Sequence, residues 1–481
     1  MTAVADRATA NDPPADVDDL EHDRFRNELA SVQKDGRRKW VYARQPHGPR
    51  YRARTYVSWG LLAFLLLAPF VTFQGQPLVL LNFIERRFVL FGLVFWPQDF
   101  YLVVLIFLTL LVTLMLTSAT VGRVWCGWLC PQTVFLEMLF RKIEFLIDGS
   151  AAQQLRRNRA PMTLDTMWRL GVKHGVFFGL SFVIANVFLA YIIGADALWR
   201  IVTDPPREHL GGLVAITIFS LVFYGVFARF REQACTLACP YGRLMSAFVD
   251  RHTVTVTYDW KRGEPRGHRA HGAGAAAAGD CVDCAQCVTV CPTGIDIRNG
   301  IQLECVACTA CMDACDDVMR RVERPVGLIR YTSHDTVAAG HGTWLTGRVK
   351  AYASVWALLA VTVITLLSVR RDLDVVIFRQ PGTLHATTDG GGAANFYNVQ
   401  VINRSSRSHA LEYRVVEPPD GSITPLGSID RVAPYGLIES RLLLRIPGAS
   451  LTGPAMPIRV EVSADGRVVQ VINSSFLGPT K

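Results

Sequence analysis

Five stretches of this 481-residue chain run without a charged side chain for about the length a bilayer-spanning helix needs, roughly 17 to 25 residues. They are residues 56–73, 100–119, 175–195, 210–228 and 351–369. Backbone groups in lipid must be satisfied within the segment itself, so such stretches can be helices but not open strands. Any one of them reads equally well as a buried helix of a large soluble core; five of this length do not. Composition agrees, because half of the residues are hydrophobic and only 19% are charged, against about 25% in an average soluble chain. A disordered chain is excluded, and an ordinary soluble enzyme fits poorly. The run 88–98 is too short to span and contains Pro97. It reads as a re-entrant or interfacial piece between the first two spans.

Lysine and arginine in the short loops set the orientation. Arg50, Arg52 and Arg54 precede the first span. Arg123, Arg141, Lys142, Arg156, Arg157 and Arg159 lie between the second and third, and Arg229, Arg231 and Arg243 follow the fourth. These regions are expected in the cytoplasm. The loop 196–209 sets Arg200 and Arg207 against Asp196, Asp204 and Glu208 and is expected outside. Arg370 and Arg371, just after the fifth span, argue against an outside C-terminus, but the longer count prevails. Much of the net charge of +9 is thereby assigned to cytoplasmic loops, and no nucleic-acid partner is expected. Residues 1–50 mix Asp16, Asp18, Asp19 and Glu21 with Lys34, Arg37, Arg38 and Lys39, with no apolar h-region, and read as a mobile cytoplasmic tail.

Residues 372–481 change character. Short alternating or β-branched runs at 396–402, 411–416, 441–446, 458–462 and 468–472, separated by Gly, Pro, Asn and Ser clusters, predict an antiparallel β-sandwich without cysteine.

All twelve cysteines fall between Cys126 and Cys315. Eight stand in two tandem C-x2-C-x2-C-x3-C runs: Cys281, Cys284, Cys287 and Cys291, then Cys305, Cys308, Cys311 and Cys315. This is the pattern of bacterial two-cluster ferredoxins, in which three close thiolates wrap one 4Fe-4S cubane and the fourth, expected at a helix start, ligates the other. Cluster one would take Cys281, Cys284, Cys287 and Cys315. Cluster two would take Cys305, Cys308, Cys311 and Cys291. Pro292 follows Cys291 as the pattern asks, whereas Asp316 follows Cys315. A pair of four-cysteine zinc sites is the competing reading.

The other four cysteines form a repeat, C-x3-C-P, after the second and fourth spans: Cys126 and Cys130 before Pro131, Cys235 and Cys239 before Pro240. Each leads into an amphipathic stretch, 134–147 or 243–249, so spans one and two look like a duplicate of spans three and four. On a helix, positions four apart share a face, and the duplication would set the pairs facing one another. Buried free thiols remain an alternative, while a structural disulfide is disfavoured in a reducing cytoplasm. A redox-active or metal-binding set of four thiolates would suit Cu(I), zinc or iron-sulfur, and spacing does not choose among them. Elsewhere, His268 and His271 sit in a Gly/Ala-rich linker, His174 and His209 flank spans three and four, and Trp125 and Trp128 suit a membrane-interface belt. No phosphate loop, dinucleotide fingerprint or hydrolase triad is found.

The segment from Gly122 through Cys126 and Cys130 to Gln132, that from Cys235 through Cys239 to Arg243, the insert with its Cys291-Pro-Thr-Gly-Ile-Asp-Ile-Arg298, and Gly327-Leu-Ile-Arg-Tyr331 resemble, in this order, the CcoG/FixG (Rdx) family. These are bacterial inner-membrane accessory proteins of cytochrome c oxidase; C-x3-C-P alone also looks like NapH-type polyferredoxins. The resemblance implies a multi-domain fold: a five-helix transmembrane bundle, an inserted two-cluster ferredoxin-like domain at 251–335 and a periplasmic immunoglobulin-like sandwich at 372–481. It implies a cupric reductase turning Cu(II) into Cu(I) during cbb3-type oxidase assembly. An electron donor supplies two 4Fe-4S clusters, copper is handled at Cys126, Cys130, Cys235 and Cys239, and membrane lipid and oxidase assembly factors or subunits are the partners. A NapH-like conduit with no substrate of its own, and a non-redox assembly scaffold, are the alternatives.

Overall fold

Gly48, at φ 145°, and Pro49 at the first helical position start the first long helix, α1 (Pro49–Leu67). It stops there because Pro69 has no N–H to continue the ladder, and the chain turns into a short strand at Thr72–Phe73. The stretch expected as the first span is therefore helical only to Leu67, and the helix begins earlier, with Arg50, Arg52 and Arg54 in its first two turns. The computed structural model describes residues 30–33, 35, 37–267, 279–382, 385–388, 391–427 and 430–479.

The other long helices are α2 (Phe100–Val121), α3 (Leu164–Ile193), α4 (Leu210–Gly225), α5 (Ala310–Arg321) and α6 (Gly347–Val369). Among the described residues, four helical stretches are long and apolar enough to cross a membrane: Pro97–Val121, Leu164–Ile193, Leu210–Phe230 and Gly347–Val369. They correspond to the second to fifth expected spans; α1 does not qualify, because three arginines fall near its start.

The chain divides into two compact units. One takes in the described residues up to Ala68, with Val104–Ala190 and Ala195–Val361. Its membrane part is held by aromatic packing, with Phe140 stacked on Phe227 at 4.6 Å and edge-on to Phe177 at 4.9 Å. Buried ion pairs border it: Arg231 to Glu144 at 2.9 Å, Lys173 to Asp148 at 2.6 Å and Arg141 to Glu137 at 2.7 Å. In the same unit, the cysteine-rich insert hangs on an antiparallel strand pair, Thr255–Tyr258 with Ile329–Thr332, in register Thr255 to Thr332. The expected free tail is tied down from Ala30 onward. The Ala30 N–H donates to Glu304 at 2.6 Å, and the Arg44 N–H donates to the Thr289 carbonyl at 2.8 Å. Earlier residues lie outside those described, as do His268 and His271.

The second unit comprises Pro69–Val103, Tyr191–Gly194 and the chain from Thr362 on. The run 88–98, expected to be re-entrant, is instead part of a three-stranded antiparallel sheet, Val79–Asn82, Arg87–Leu90 and Leu93–Phe95. Asn82 turns the first corner by accepting the N–H groups of Ile84 and Glu85, and Phe91 and Gly92, both at positive φ, turn the second in the manner of a two-residue hairpin. Leu80, Val89, Val94 and Trp96 from this sheet bury themselves with Ile402 and Tyr435. The C-terminal part is a sandwich. One sheet orders Ser422–Leu426, Leu437–Ile446, Gly392–Asn403 and Leu373–Arg379, with Ala386–Thr388 beside Gly392–Asn403. The other orders Arg431–Val432, His409–Glu417, Ala455–Ala464 and Arg467–Leu477. All five predicted runs are strands. Arg404 and Arg370 converge on the buried Asp99, Arg404 at 2.9 Å.

Candidate metal centres

The two cysteine runs fold into matching loops. Asp283 and Ala285 in the first, and Ala307 and Thr309 in the second, have φ between 51° and 66°. Four non-glycine residues in this sparsely populated region, at equivalent places of a repeat, curl each loop around a common centre and turn backbone N–H groups inward. The left-handed Ala285 and Thr309 then cap short helices, Gln286–Thr289 and α5. It is the third cysteine of each run that enters a helix, Cys287 and Cys311. The fourth, expected at a helix start, lies just past the helix at Cys291 and well inside α5 at Cys315.

Two small, partly open cavities result. One is lined by Cys281, Cys284, Cys287 and Cys315 with Tyr258 and Met319. The other is lined by Cys291, Cys305, Cys308 and Cys311, with Cys287 on its wall. These are the two quartets that the spacing predicts, each drawn from both runs. Burial pushes the Cys287, Cys305 and Cys315 thiols up to about 12 and Cys308 to about 11. Without metal these are neutral, buried thiols; loading must draw off their protons.

The C-x3-C-P cysteines come together as the duplication predicts. Cys130 and Cys239 both have extended backbone and both precede a proline that opens a helix, Pro131–Val134 or Pro240–Ser246. Within each pair the backbone is not one regular helix. Cys126 lies in the turn Val124–Trp128 and Cys235 in the wide-turn stretch Ala234–Ala238. Burial raises the Cys126 thiol, opposed by Arg123, and the negative charge of Cys130 or Cys239 would raise it further. Burial pushes Cys235 up to about 12, with Cys130 and Cys126 again contributing. Cys126 is thus within electrostatic reach of the other three thiols, and Cys235 of Cys130. The Gly242 N–H donates to the Cys239 sulfur at 3.4 Å.

The two groups of cysteines are neighbours. Cys126 shares one buried cluster with Cys308, Val306, Ala310 and Val290. Gly127 lies so close that a Cβ would collide with the Val306 carbonyl. Two buried arginines lie at the seam: Arg54, on α1, donates from Nε to the Gly127 carbonyl at 2.7 Å, and Arg123 donates across it to the Leu303 carbonyl. Trp128, expected in a lipid-facing belt, lies beside Tyr331, whose hydroxyl donates to the Ala307 carbonyl at 3.1 Å. Arg54 and Arg123 had registered in the sequence only as orienting charges. The one signal to a site role was their position beside α1 and the first C-x3-C-P motif. His174 accepts or donates at Tyr224, 2.7 Å away, and His209 pairs with Asp204 at 3.0 Å.

Comparison with known proteins agrees with this geometry. Residues 230–334 match a family model described as a 4Fe-4S dicluster domain, and residues 103–148 one described as a 4Fe-4S binding domain. Residues 363–479 match the IG-like fold at the C-terminal of FixG. Over 469 residues, 91% of this chain and 97% of the relative, the sequence is 33% identical to Protein RdxA of Cereibacter sphaeroides. The chain belongs to the FixG/Rdx family. It is also 29% identical to the nitrogen fixation protein FixG of Rhizobium meliloti, over 81% of this chain and 82% of that one. To Protein RdxB of Cereibacter sphaeroides it is 30% identical, over 80% and 83% respectively. Like its FixG/Rdx relatives by these models, it is an iron-sulfur electron-transfer protein, with long apolar helices that associate it with a membrane and an immunoglobulin-like C-terminal domain.

Proposed function

We propose that this FixG/Rdx protein is a cupric reductase of the bacterial inner membrane that serves cbb3-type oxidase assembly. The single observation that carries the reading is the burial of Cys126 with Cys308, which puts the four-thiol site against the second cysteine run. Bound 4Fe-4S clusters supply one-electron chemistry, held by Cys281, Cys284, Cys287 and Cys315 and by Cys291, Cys305, Cys308 and Cys311. Cu(II) gains one electron and becomes Cu(I), while a cytoplasmic donor loses one. Thiolates at Cys126, Cys130, Cys235 and Cys239 favour the soft Cu(I) product, Arg54 and Arg123 offset the accumulated negative charge, and the apolar seam excludes water.

In this reading α1 also crosses the membrane, for five spans, with the N-terminus and ferredoxin domain cytoplasmic and the sandwich periplasmic. What supports this is unit membership: α1 begins in the unit of the ferredoxin insert, and the residues after it, from Pro69, belong with the sandwich. Copper, the donor, membrane lipid and oxidase assembly factors or subunits are the partners.

Replacing Cys126, Cys130, Cys235 and Cys239 with serine, with the other eight kept, tests the site. Cupric reduction with a chemical reductant and copper stoichiometry should fall to background while iron content and the EPR of the reduced protein persist. Unchanged reduction and copper binding would refute the role. The match of residues 103–148 to a 4Fe-4S binding domain favours a second reading, an electron conduit with no substrate of its own. Turnover of Cu(II) by the purified protein without any partner decides for the reductase.

A further inference from the structure

Between the helices Arg141–Asp148 and Ala151–Arg159 and the start of α3 lies an open cleft of about 450 Å³ that no part of the redox chemistry uses. Arg156, Arg157 and Arg169 line it, with Thr163, Thr166 and Gln153. Its carboxylates are already engaged: Asp148 by Arg157 at 3.0 Å and Lys173 at 2.6 Å, and Asp165 by Arg169 at 2.9 Å. Arg156, in the wall, has no carboxylate partner among the described residues, nor has Arg159, one turn on and outside the lining. The wall therefore carries uncompensated positive charge in the fork geometry that pairs with a phosphate diester.

Leu146 of the lining, and Leu164 and Trp168 next in sequence to the lining residues Asp165 and Arg169, are large apolar side chains that no protein surface covers. Leu146 is 84% exposed, Leu164 85% and Trp168 73%. Exposed leucines and a tryptophan beside arginines are the composition of a membrane interface. Depth agrees. Arg169 precedes Gly175, the first residue of the uncharged part of α3, by six positions, or about 9 Å of helix. That is headgroup distance from the hydrocarbon edge.

We propose that this cavity binds the phosphodiester headgroup of an anionic phospholipid, with Arg156 supplying the free charge in its wall, Arg159 on the same helix adding to the positive field, and Leu146, Leu164 and Trp168 meeting the acyl chains. The site rests on the reading of α3 as a membrane span. It fixes the rim of the membrane core next to the Asp148 and Glu144 ion pairs, and so makes lipid composition a determinant of stability.

The test uses the full chain in nanodiscs of phosphatidylcholine alone or with phosphatidylglycerol. Native mass spectrometry counts retained lipid, and thermal unfolding reads stabilisation. Phosphatidylglycerol should be retained selectively and raise the unfolding temperature, and inorganic phosphate should reproduce neither effect. Arg156→Gln and Arg159→Gln, both exposed and unpaired with acids, should each weaken the preference by roughly fivefold without altering iron content. Equal retention of both lipids, or an undiminished preference in the double variant, overturns the site while leaving α3 in the membrane. Stabilisation by inorganic phosphate alone would reassign the cavity to a soluble anion. Failure of the chain to enter any nanodisc overturns the span reading and the site together.

Discussion

Glu144 illustrates how a single side chain holds the rim of the membrane core. Burial works to raise its carboxyl, but Arg231 at 2.9 Å, Lys173 and Arg141 prevail and hold it below the ordinary glutamate range. A carboxyl lowered in the folded state stabilises above its unfolded value, and that contribution is lost as pH falls through the folded value. Glu144→Gln removes the nearest counter-charge of the buried Arg231, whose remaining partner Glu232 stands at 3.7 Å, while Lys173 keeps Asp148 at 2.6 Å. It should cost about 1.5–3 kcal/mol at neutral pH and flatten the acid limb of a thermal-unfolding profile recorded from neutral to acid pH in detergent. Gly127 makes a different demand, for space. Gly127→Val drives a side chain into the Val306 carbonyl, so the second cysteine loop must withdraw. Iron per chain should fall toward half, with one EPR species lost and the other kept. At this scale, the iron-sulfur character of the insert was legible because each C-x2-C-x2-C-x3-C run is local in sequence. Arg54 and Arg123 were not, because their roles are set by partners as distant as Leu303, 180 positions from Arg123.

Among elements, the departure at Asp316 from the ferredoxin pattern acquires a reason. Its carboxylate binds Arg50 at 2.7 Å and accepts the Gly327 N–H at 2.8 Å. Asp313, one turn earlier on α5, accepts the Tyr51 N–H at 2.8 Å and sits so tightly on Gly48 that no Cβ fits there. An aspartate of the ferredoxin insert thus caps the N-terminus of α1, satisfying orphan donors and meeting the positive end of the helix dipole. Asp313→Ala should cost about 1.5–3 kcal/mol locally and speed amide hydrogen exchange at Arg50 and Tyr51, with exchange in the C-terminal half of α1 unchanged. Uniform exchange along α1 in the variant would mean that the helix is held elsewhere. The same contact explains a misreading: Arg50 and Arg54 count as loop charges in the sequence, yet both belong to a helix that extends further back than hydropathy alone indicates. The hairpin at 88–98 was obscured for a similar reason. Its apolar run serves a sheet whose partners, Ile402 and Tyr435, lie more than three hundred positions away. The sandwich strands, with regular alternation and local turns, needed no such partner to be visible.

For the molecule as a whole, the number of crossings and the side of the sandwich are one question. Four crossings from a cytoplasmic N-terminus return the C-terminus to the cytoplasm; five place it outside. Arg370 and Arg371 are the evidence against five, since free arginines after the last span belong on the cytoplasmic side. Arg370 is not free. It binds the buried Asp99 and the Val94 carbonyl and lies 4.8 Å from the Phe95 ring centre, and a charge paired within the fold exerts little of the pull on which the positive-inside rule depends. The uncharged part of α1, from Tyr56 to its end at Leu67, covers only about 18 Å. It can still cross if its arginines snorkel and the bilayer thins around it. Alkaline phosphatase fused after Lys481 should therefore be active and a fluorescent reporter fused there dark, with the opposite result for fusions in the insert near Gly267. Arg370→Ala should leave that topology intact while loosening the second unit. An active fluorescent fusion after Lys481 would mean an even number of crossings, and would place the immunoglobulin-like domain on the same side as the cysteines.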